Sequence, residues 1–248
     1  DTGTTHITEI YYQNVRGLKT KTNDFKLSLT KNDYEIISLT ETWLDENVPT
    51  SLLFTKDYNV YRMDRSETNS SHSRGGGVLI AVRSTTQTMR PQILSIQAKG
   101  SSLFLGCIYI PPYLSASDET FQCLSCSIDK IHDIMRPNDK LIILGDFNQN
   151  RIEWSSGSAQ SAIGDNHIID IIDMYLLKQV NNVRNQTGRI LDLVLADDNL
   201  ANLMTVKQSN STTYLLPADN YHPPLVICVK MEKKPLHRVL VLTATNEN

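Results

Sequence analysis

Leu141-Ile142-Ile143-Leu144-Gly145-Asp146-Phe147-Asn148 is the stretch that decides the fold. Four apolar residues in a row read as a buried strand. Gly145 ends the run, and an Asp and an Asn follow with one residue between them. A carboxylate and a carboxamide at the mouth of a strand can grip a phosphate and the water that attacks it. The same letters also close a strand in an Asx turn, where both side chains bond their own backbone. The rest of the chain chooses between the two readings.

Polar punctuation recurs at strand ends. Ile10-Tyr11-Tyr12-Gln13-Asn14 ends in an amide and runs into Val15-Arg16-Gly17. Tyr34-Glu35-Ile36-Ile37-Ser38-Leu39-Thr40-Glu41 ends in a carboxylate, with Thr42-Trp43 behind it. Leu105-Gly106-Cys107-Ile108-Tyr109-Ile110 stops at Pro111-Pro112, and Ile190-Leu191-Asp192-Leu193-Val194-Leu195 carries one carboxylate inside an apolar run. Asp219-Asn220-Tyr221-His222-Pro223-Pro224 precedes Leu225-Val226-Ile227-Cys228-Val229. Loops at strand ends are where a rigid scaffold presents chemistry. A carboxylate inside an apolar strand is costly without a partner, so Asp192 calls for one.

In this order the motifs resemble the endonuclease/exonuclease/phosphatase superfamily, which includes apurinic/apyrimidinic endonucleases, exonuclease III and DNase I. The chain looks most like the endonuclease domain of a non-LTR (LINE-type) retrotransposon. Gly145-Asp146-Phe147-Asn148 followed by Trp154, and Arg74-Gly75-Gly76-Gly77-Val78 before a strand, carry that flavour. The likeness spans roughly residues 7 to 230. Two positions depart from the family pattern. Arg16 stands where a second acid is common, and Tyr221 stands where Asp usually precedes the His, with Asp219 three residues upstream of His222.

The resemblance implies an α/β fold: a four-layered α/β/β/α sandwich of two packed mixed sheets flanked by helices, DNase I-like. Periodicity agrees. Strand patterns recur near 7–14, 34–40, 57–62, 77–83, 102–110, 140–145, 190–196, 202–208 and 224–231, and helical ones near 21–31, 118–135 and 164–177. Long strands with few helices suggest two packed sheets rather than a doubly wound one. Residues 1–232 are expected to be one domain and 233–248, aperiodic after Pro235, a tail or linker. Residues 65–74 read as a polar loop.

Composition sets bounds. The chain has 248 residues, 40% hydrophobic and 21% charged, which suits one large soluble domain. No apolar run approaches the roughly 20 residues that span a bilayer. The chain opens on Asp1 rather than Met, so a processed or excised segment is expected. A net charge of −3 argues against a wholly basic nucleic-acid binder but leaves room for a local basic rim. Four cysteines do not make a disulfide framework at this length. Cys107 and Cys228 read as buried thiols. Cys123 and Cys126 read as a helix face, since no second ligand pair for zinc is visible. Arg74-Gly75-Gly76-Gly77 lacks the Lys-Ser/Thr of a phosphate loop and reads as a turn.

The resemblance implies a metal-dependent DNA endonuclease that nicks one strand, leaving 3′-hydroxyl and 5′-phosphate ends. In a retrotransposon that hydroxyl primes reverse transcription, so double-stranded DNA and the reverse transcriptase domain of the same polyprotein are the expected partners, in the nucleus. Mg²⁺, or Mn²⁺ in its place, is expected at Glu41, with Asn14 and Asp219 completing the shell; hard oxygen donors suit it. His222 is expected on the phosphate side, oriented by Asp192. Asp146 would position or deprotonate the water, Asn148 would bond the phosphate, and Tyr109 offers a hydroxyl. The loop 181–189 is expected to be a DNA-probing hairpin tip through Arg184, Thr187 and Arg189, and Arg16 is expected to touch substrate. Two alternatives stay open: an abasic-site repair nuclease or a phosphoinositide or sphingomyelin phosphodiesterase on the same scaffold, and a catalytically inactive nucleic-acid-binding module.

Overall fold

In a computed structural model of the chain, residues 6–64, 75–84, 88–89, 101–155, 158–161, 167–231 and 236–241 are described. The polar loop expected at 65–74 lies outside them. The first half runs β1 (His6–Asn14), α1 (Thr22–Lys31), β2 (Ile36–Thr40), β3 (Tyr58–Met63), β4 (Val78–Arg83), β5 (Thr88–Met89), β6 (Ser102–Tyr109) and α2 (Asp118–His132). The second half runs β7 (Lys140–Asp146), β8 (Ile152–Ser155), β9 (Ser158–Ser161), α3 (His167–Met174), β10 (Leu177–Gln179) and β11 (Asp192–Asp197). It continues with α4 (Asp198–Ala201), β12 (Met204–Gln208), β13 (Leu225–Met231) and β14 (Leu236–Val241).

Twelve of these strands form two six-stranded sheets, ordered β12-β13-β1-β2-β4-β3 and β10-β11-β7-β6-β14-β5, while β8 and β9 form a separate hairpin. Both sheets are mixed. β1 runs parallel to β2 and antiparallel to β13; β7 runs parallel to β6 and antiparallel to β11.

The alternation of side chains along each strand builds the layers. From β1, Ile10 and Tyr12 face the other sheet, while Tyr11 faces the outer side, towards Phe25 and Leu29 of α1. From β7, Ile142 and Leu144 join the core between the sheets, while Leu141 and Ile143 pack under Phe121, Leu124 and Ile128 of α2 and Ile168 and Ile171 of α3. Strands buried on both faces read as continuous apolar runs, which is why 141–144 showed no alternation. The architecture is the expected α/β/β/α sandwich.

Local signals set the helices. Ser117 caps α2 by accepting from the Thr120 amide, with Asp118 and Glu119 in the first turn and Lys130 and His132 in the last. Cys123 and Cys126 are exposed on this helix; Cys107 is buried and Cys228 is half-buried. α3 ends at Met174, short of the expected 177, because Leu176 turns into the left-handed region (φ 52) and Leu177 already belongs to β10.

Two expectations are corrected. The stretch expected to be a tail contains β14, which pairs in parallel with β6 from Leu236↔Ser102 to Val241↔Cys107. His237 and Arg238 interrupt its apolar residues, so no period announced it. Gly145 does not end its strand; β7 runs through it to Asp146. At Gly145 (φ 152) an added Cβ would lie 1.9 Å from the carbonyl oxygen of Ile108, its partner across the parallel pair. Gly145→Ala is therefore expected to destabilise the protein by about 3 kcal/mol or more, read by chemical denaturation. A change within about 0.5 kcal/mol, the range of ordinary surface substitutions, would contradict that close approach.

Candidate active site

Strand direction gathers the singled-out residues at one end of the sandwich. Asn14 and Thr40 close β1 and β2 side by side, with Glu41 next. Tyr109 closes β6 beside Asp146 at the end of β7. β11 runs the other way, so its first residue, Asp192, lies directly opposite Asp146. β13 is antiparallel to β1, so the segment 219–222 just before it arrives at the same end.

Asp146, Asp192 and His222 are all buried. Two carboxylates facing each other across a ladder repel, and His222 answers both. Its Nδ1 lies 3.0 Å from Asp192 Oδ2 and 3.1 Å from Asp192 Oδ1, while Nε2 lies 3.8 Å from Asp146 Oδ2. Burial pushes the Asp146 carboxyl up to about 8, Asp192 adding to the rise and His222 opposing it. Burial pulls the His222 imidazole down, yet the Asp192 charge and hydrogen bond, with Asp146 and Asp219, outweigh it and raise it to about 9. The imidazolium is thus the form favoured at neutral pH.

Three further contacts hold Asp146. Asn14 Nδ2 donates to its Oδ2 at 2.9 Å, and the backbone N–H of Asn148 donates to its Oδ1 at 3.1 Å. The third acts through the backbone: the Ile110 amide takes the Asp146 carbonyl at 2.8 Å, and Asn148 Nδ2 returns to the Ile110 carbonyl at 2.8 Å. Asn148 sits at φ 52, in the left-handed region that Asn tolerates best after Gly. The Asx turn expected of this segment is present, and it is what holds the Asp146 carboxylate in place.

Tyr12 was missed from the sequence. Fully buried between the sheets, its hydroxyl donates to Asp192 Oδ1 at 2.7 Å and lies 3.0 Å from Thr40 Oγ1. The available signal was a tyrosine on the inward face of a strand, whose hydroxyl must find a partner. Asn181 adds a bond from Nδ2 to the Asp192 carbonyl at 2.7 Å.

Glu41 is held by Oε2, which accepts from the Trp43 indole N–H and from the Gly76 amide at 3.1 Å. Its charge adds to the upward push on Asp146. Asp219 has other commitments. Its Oδ1 accepts from the backbone N–H of Tyr221 at 2.7 Å and of His222 at 2.8 Å. Its Oδ2 makes an ion pair with Arg16 Nη1 at 3.0 Å, without hydrogen-bond alignment. The Arg16 guanidinium lies 5.6 Å from the centre of the Tyr221 ring. The two departures from the family pattern therefore meet each other across Asp219.

The residues fit a hard divalent cation. Asp146 and Asp192 each bring a carboxylate oxygen within 4.8 Å of the other, and the Glu41 carboxylate is near enough to add to the rise on Asp146, while His222, held as the imidazolium, is a donor to an anion rather than a ligand. Burial first, and then the neighbouring Asp192 and Glu41 carboxylates, raise Asp146, and a bound cation would offset both.

Residues 103–216 match a family described as endonuclease–reverse transcriptase. Among solved structures, the chain is similar to a 3′ phosphatase, NExo, from Neisseria bound to product DNA hairpin: 16% identity, TM-score 0.60, covering 89% of this chain and 98% of that one. It is similar to the AP endonuclease LMAP from Leishmania major at 12% identity and TM-score 0.59, covering 91% and 88%. It is also similar to the endonuclease domain of TRAS1, a telomere-specific non-LTR retrotransposon, at 13% identity and TM-score 0.57, covering 92% and 100%. This is the endonuclease/exonuclease/phosphatase fold. The resemblance carried by the motifs is borne out. A comparison with curated proteins finds no sequence match.

On this endonuclease/exonuclease/phosphatase scaffold, residues 180–191 connect β10 to β11 beside the site. Asn185 organises the loop: its Oδ1 accepts from the amides of Thr187 at 3.0 Å and Arg189 at 2.9 Å and from the Thr187 hydroxyl at 2.8 Å. The loop leans on the His222 segment through the Gln186 amide to the Asn220 carbonyl and Asn185 Nδ2 to the Tyr221 carbonyl. Arg184 donates to the Gly188 and Trp154 carbonyls, and Arg189 pairs with Glu153 of β8. Both arginines are thus tethered to the loop or to the β8–β9 hairpin.

Proposed function

We propose that the chain is a metal-dependent phosphodiesterase that nicks DNA at this site, leaving a 3′-hydroxyl and a 5′-phosphate. The observation that carries the reading is the buried Asp146–His222–Asp192 cluster at the mouth of two strands, with Glu41 beside it. Glu41, with Asn14, is proposed to hold Mg²⁺, or Mn²⁺ in its place, which leaves Asp146 as the base; Asp219 is committed to Arg16 and its own loop. Bound there, the ion would neutralise the phosphate and stabilise the leaving oxygen. His222, kept protonated between two carboxylates, presents Nε2–H to a phosphate oxygen. Asp146, its carboxyl raised towards neutrality, accepts the proton of the attacking water, since a base works best near the ambient pH. Asn148 fixes Asp146 and has a second amide N–H to offer the phosphate.

The match to the endonuclease–reverse transcriptase family and the likeness to the TRAS1 endonuclease domain support a retrotransposon role. In that role the nick primes reverse transcription by a partner domain on nuclear DNA. The intact acid–imidazole cluster argues against an inactive binding module, whose only support, Arg16 and Tyr221, is a self-contained pairing across Asp219. Among the described residues no helix is long and apolar enough to cross a membrane.

The test compares substrates. Undamaged supercoiled plasmid is expected to be nicked with Mg²⁺ as readily as a duplex carrying an abasic site. Cleavage confined to the abasic duplex would make the chain a repair nuclease instead.

Tyr12→Phe keeps the ring and removes only the hydroxyl, with its bonds to the buried Asp192 carboxylate and to the Thr40 hydroxyl. We expect nicking to fall about 10-fold with the melting temperature little changed. Wild-type turnover would show that Asp192 does not depend on it.

A further inference from the structure

Residues 41–43 are strained and braced on both sides. Glu41 (φ 56) and Trp43 (φ 52) both occupy the left-handed region, which is uncommon for side chains of this bulk. Glycines on either side make room. The Gly17 amide donates to the Glu41 carbonyl at 2.7 Å, and a Cβ on Gly17 would meet Trp43 Cε3 at 2.6 Å, so the indole lies against that glycine. On the other side the amides of Thr42 and Trp43 donate to the carbonyls of Gly77 and Gly76. Strain of this kind persists where the surroundings over-determine it, and it clusters at functional sites.

The conformation sends the indole N–H back to its neighbour. Trp43 Nε1–H and the Gly76 amide both donate to Oε2 of Glu41. Trp43 is 38% exposed, far more than core packing alone requires. We propose that Trp43 is a positioning residue for Glu41: its indole N–H engages Oε2 and so presents Oε1 as the single oxygen offered to a divalent cation. This rests on the proposed metal reading of Glu41. Partners that orient a metal-binding carboxylate typically change metal affinity 10- to 100-fold when removed, on the order of magnitude known for such outer contacts.

The experiment measures Mn²⁺ binding to the purified chain by electron paramagnetic resonance, without DNA. Trp43→Phe keeps a ring on Gly17 and deletes the N–H. Trp43→His restores a ring N–H, and Glu41→Gln removes the ligand charge. We expect Glu41→Gln to lose binding, Trp43→Phe to weaken it about 10-fold or more at an unchanged melting temperature, and Trp43→His to recover part of the loss. Wild-type affinity in Trp43→Phe, beside lost binding in Glu41→Gln, overturns the role of Trp43 while leaving the metal reading intact. Equal weakening in the Phe and His variants also overturns it, because packing on Gly17 rather than the N–H would then set affinity. Wild-type binding in Glu41→Gln overturns the metal reading itself.

Discussion

Asp192→Ala, His222→Ala and the double variant are expected to lose the same activity, on the order of 10³-fold each, in plasmid nicking. The reason is geometric. His222 Nδ1 lies 3.0 Å from Asp192 Oδ2, and against the downward pull of burial Asp192 is the largest contributor, ahead of Asp146 and Asp219, to keeping the imidazole protonated. Without Asp192 the ring loses its orientation and its charge, so removing the ring as well costs nothing more. Residues acting as one unit are strongly non-additive. If the double variant instead shows the product of the single losses, on the order of 10⁶-fold, the two act separately.

Asp146→Asn is expected to separate activity from stability. The substitution keeps the size of the side chain but removes a buried ionisable carboxyl directly opposite Asp192. Nicking is expected to fall at least about 10³-fold, because the acceptor for the water proton is gone. The melting temperature is expected to stay level or rise, since sites that concentrate like charge trade stability for function. A large drop in melting temperature would mean that Asp146 is a structural carboxylate satisfied by Asn14 and Asn148, and the assignment of the base would have to move.

The sequence revealed the site's acids, its histidine and the layered fold because each sits at a strand end or in an apolar run. It hid what depends on pairing between distant strands. Asp192 asked for a partner, and His222 was legible as that partner. Tyr12 was not, because its hydroxyl crosses from one sheet to the other and nothing local distinguishes it from Tyr11. Gly145 looked like a strand stop; only the approach of the Ile108 carbonyl shows it to be a strand residue that cannot carry a side chain. Arg16 and Tyr221 looked like two separate departures, and the fold joins them through Asp219. Arg184 and Arg189 are expected to probe a groove, and the fold adds what no local pattern announces: their guanidinium groups bond the Gly188 and Trp154 carbonyls and Glu153. β14 was invisible because an interior parallel strand needs only a slot between β6 and β5, and its own residues show no period.

If this cluster hydrolyses DNA as proposed, each nick carries a usable 3′-hydroxyl. The most direct measurement incubates supercoiled plasmid with the chain and Mg²⁺, then adds a DNA polymerase and labelled nucleotides without any phosphatase treatment. Nicked circles are expected to incorporate label at once, with none in EDTA and none with Asp146→Asn. Nicks that take up label only after their 3′ ends are dephosphorylated, or nicking that persists undiminished in Asp146→Asn, would contradict that reading.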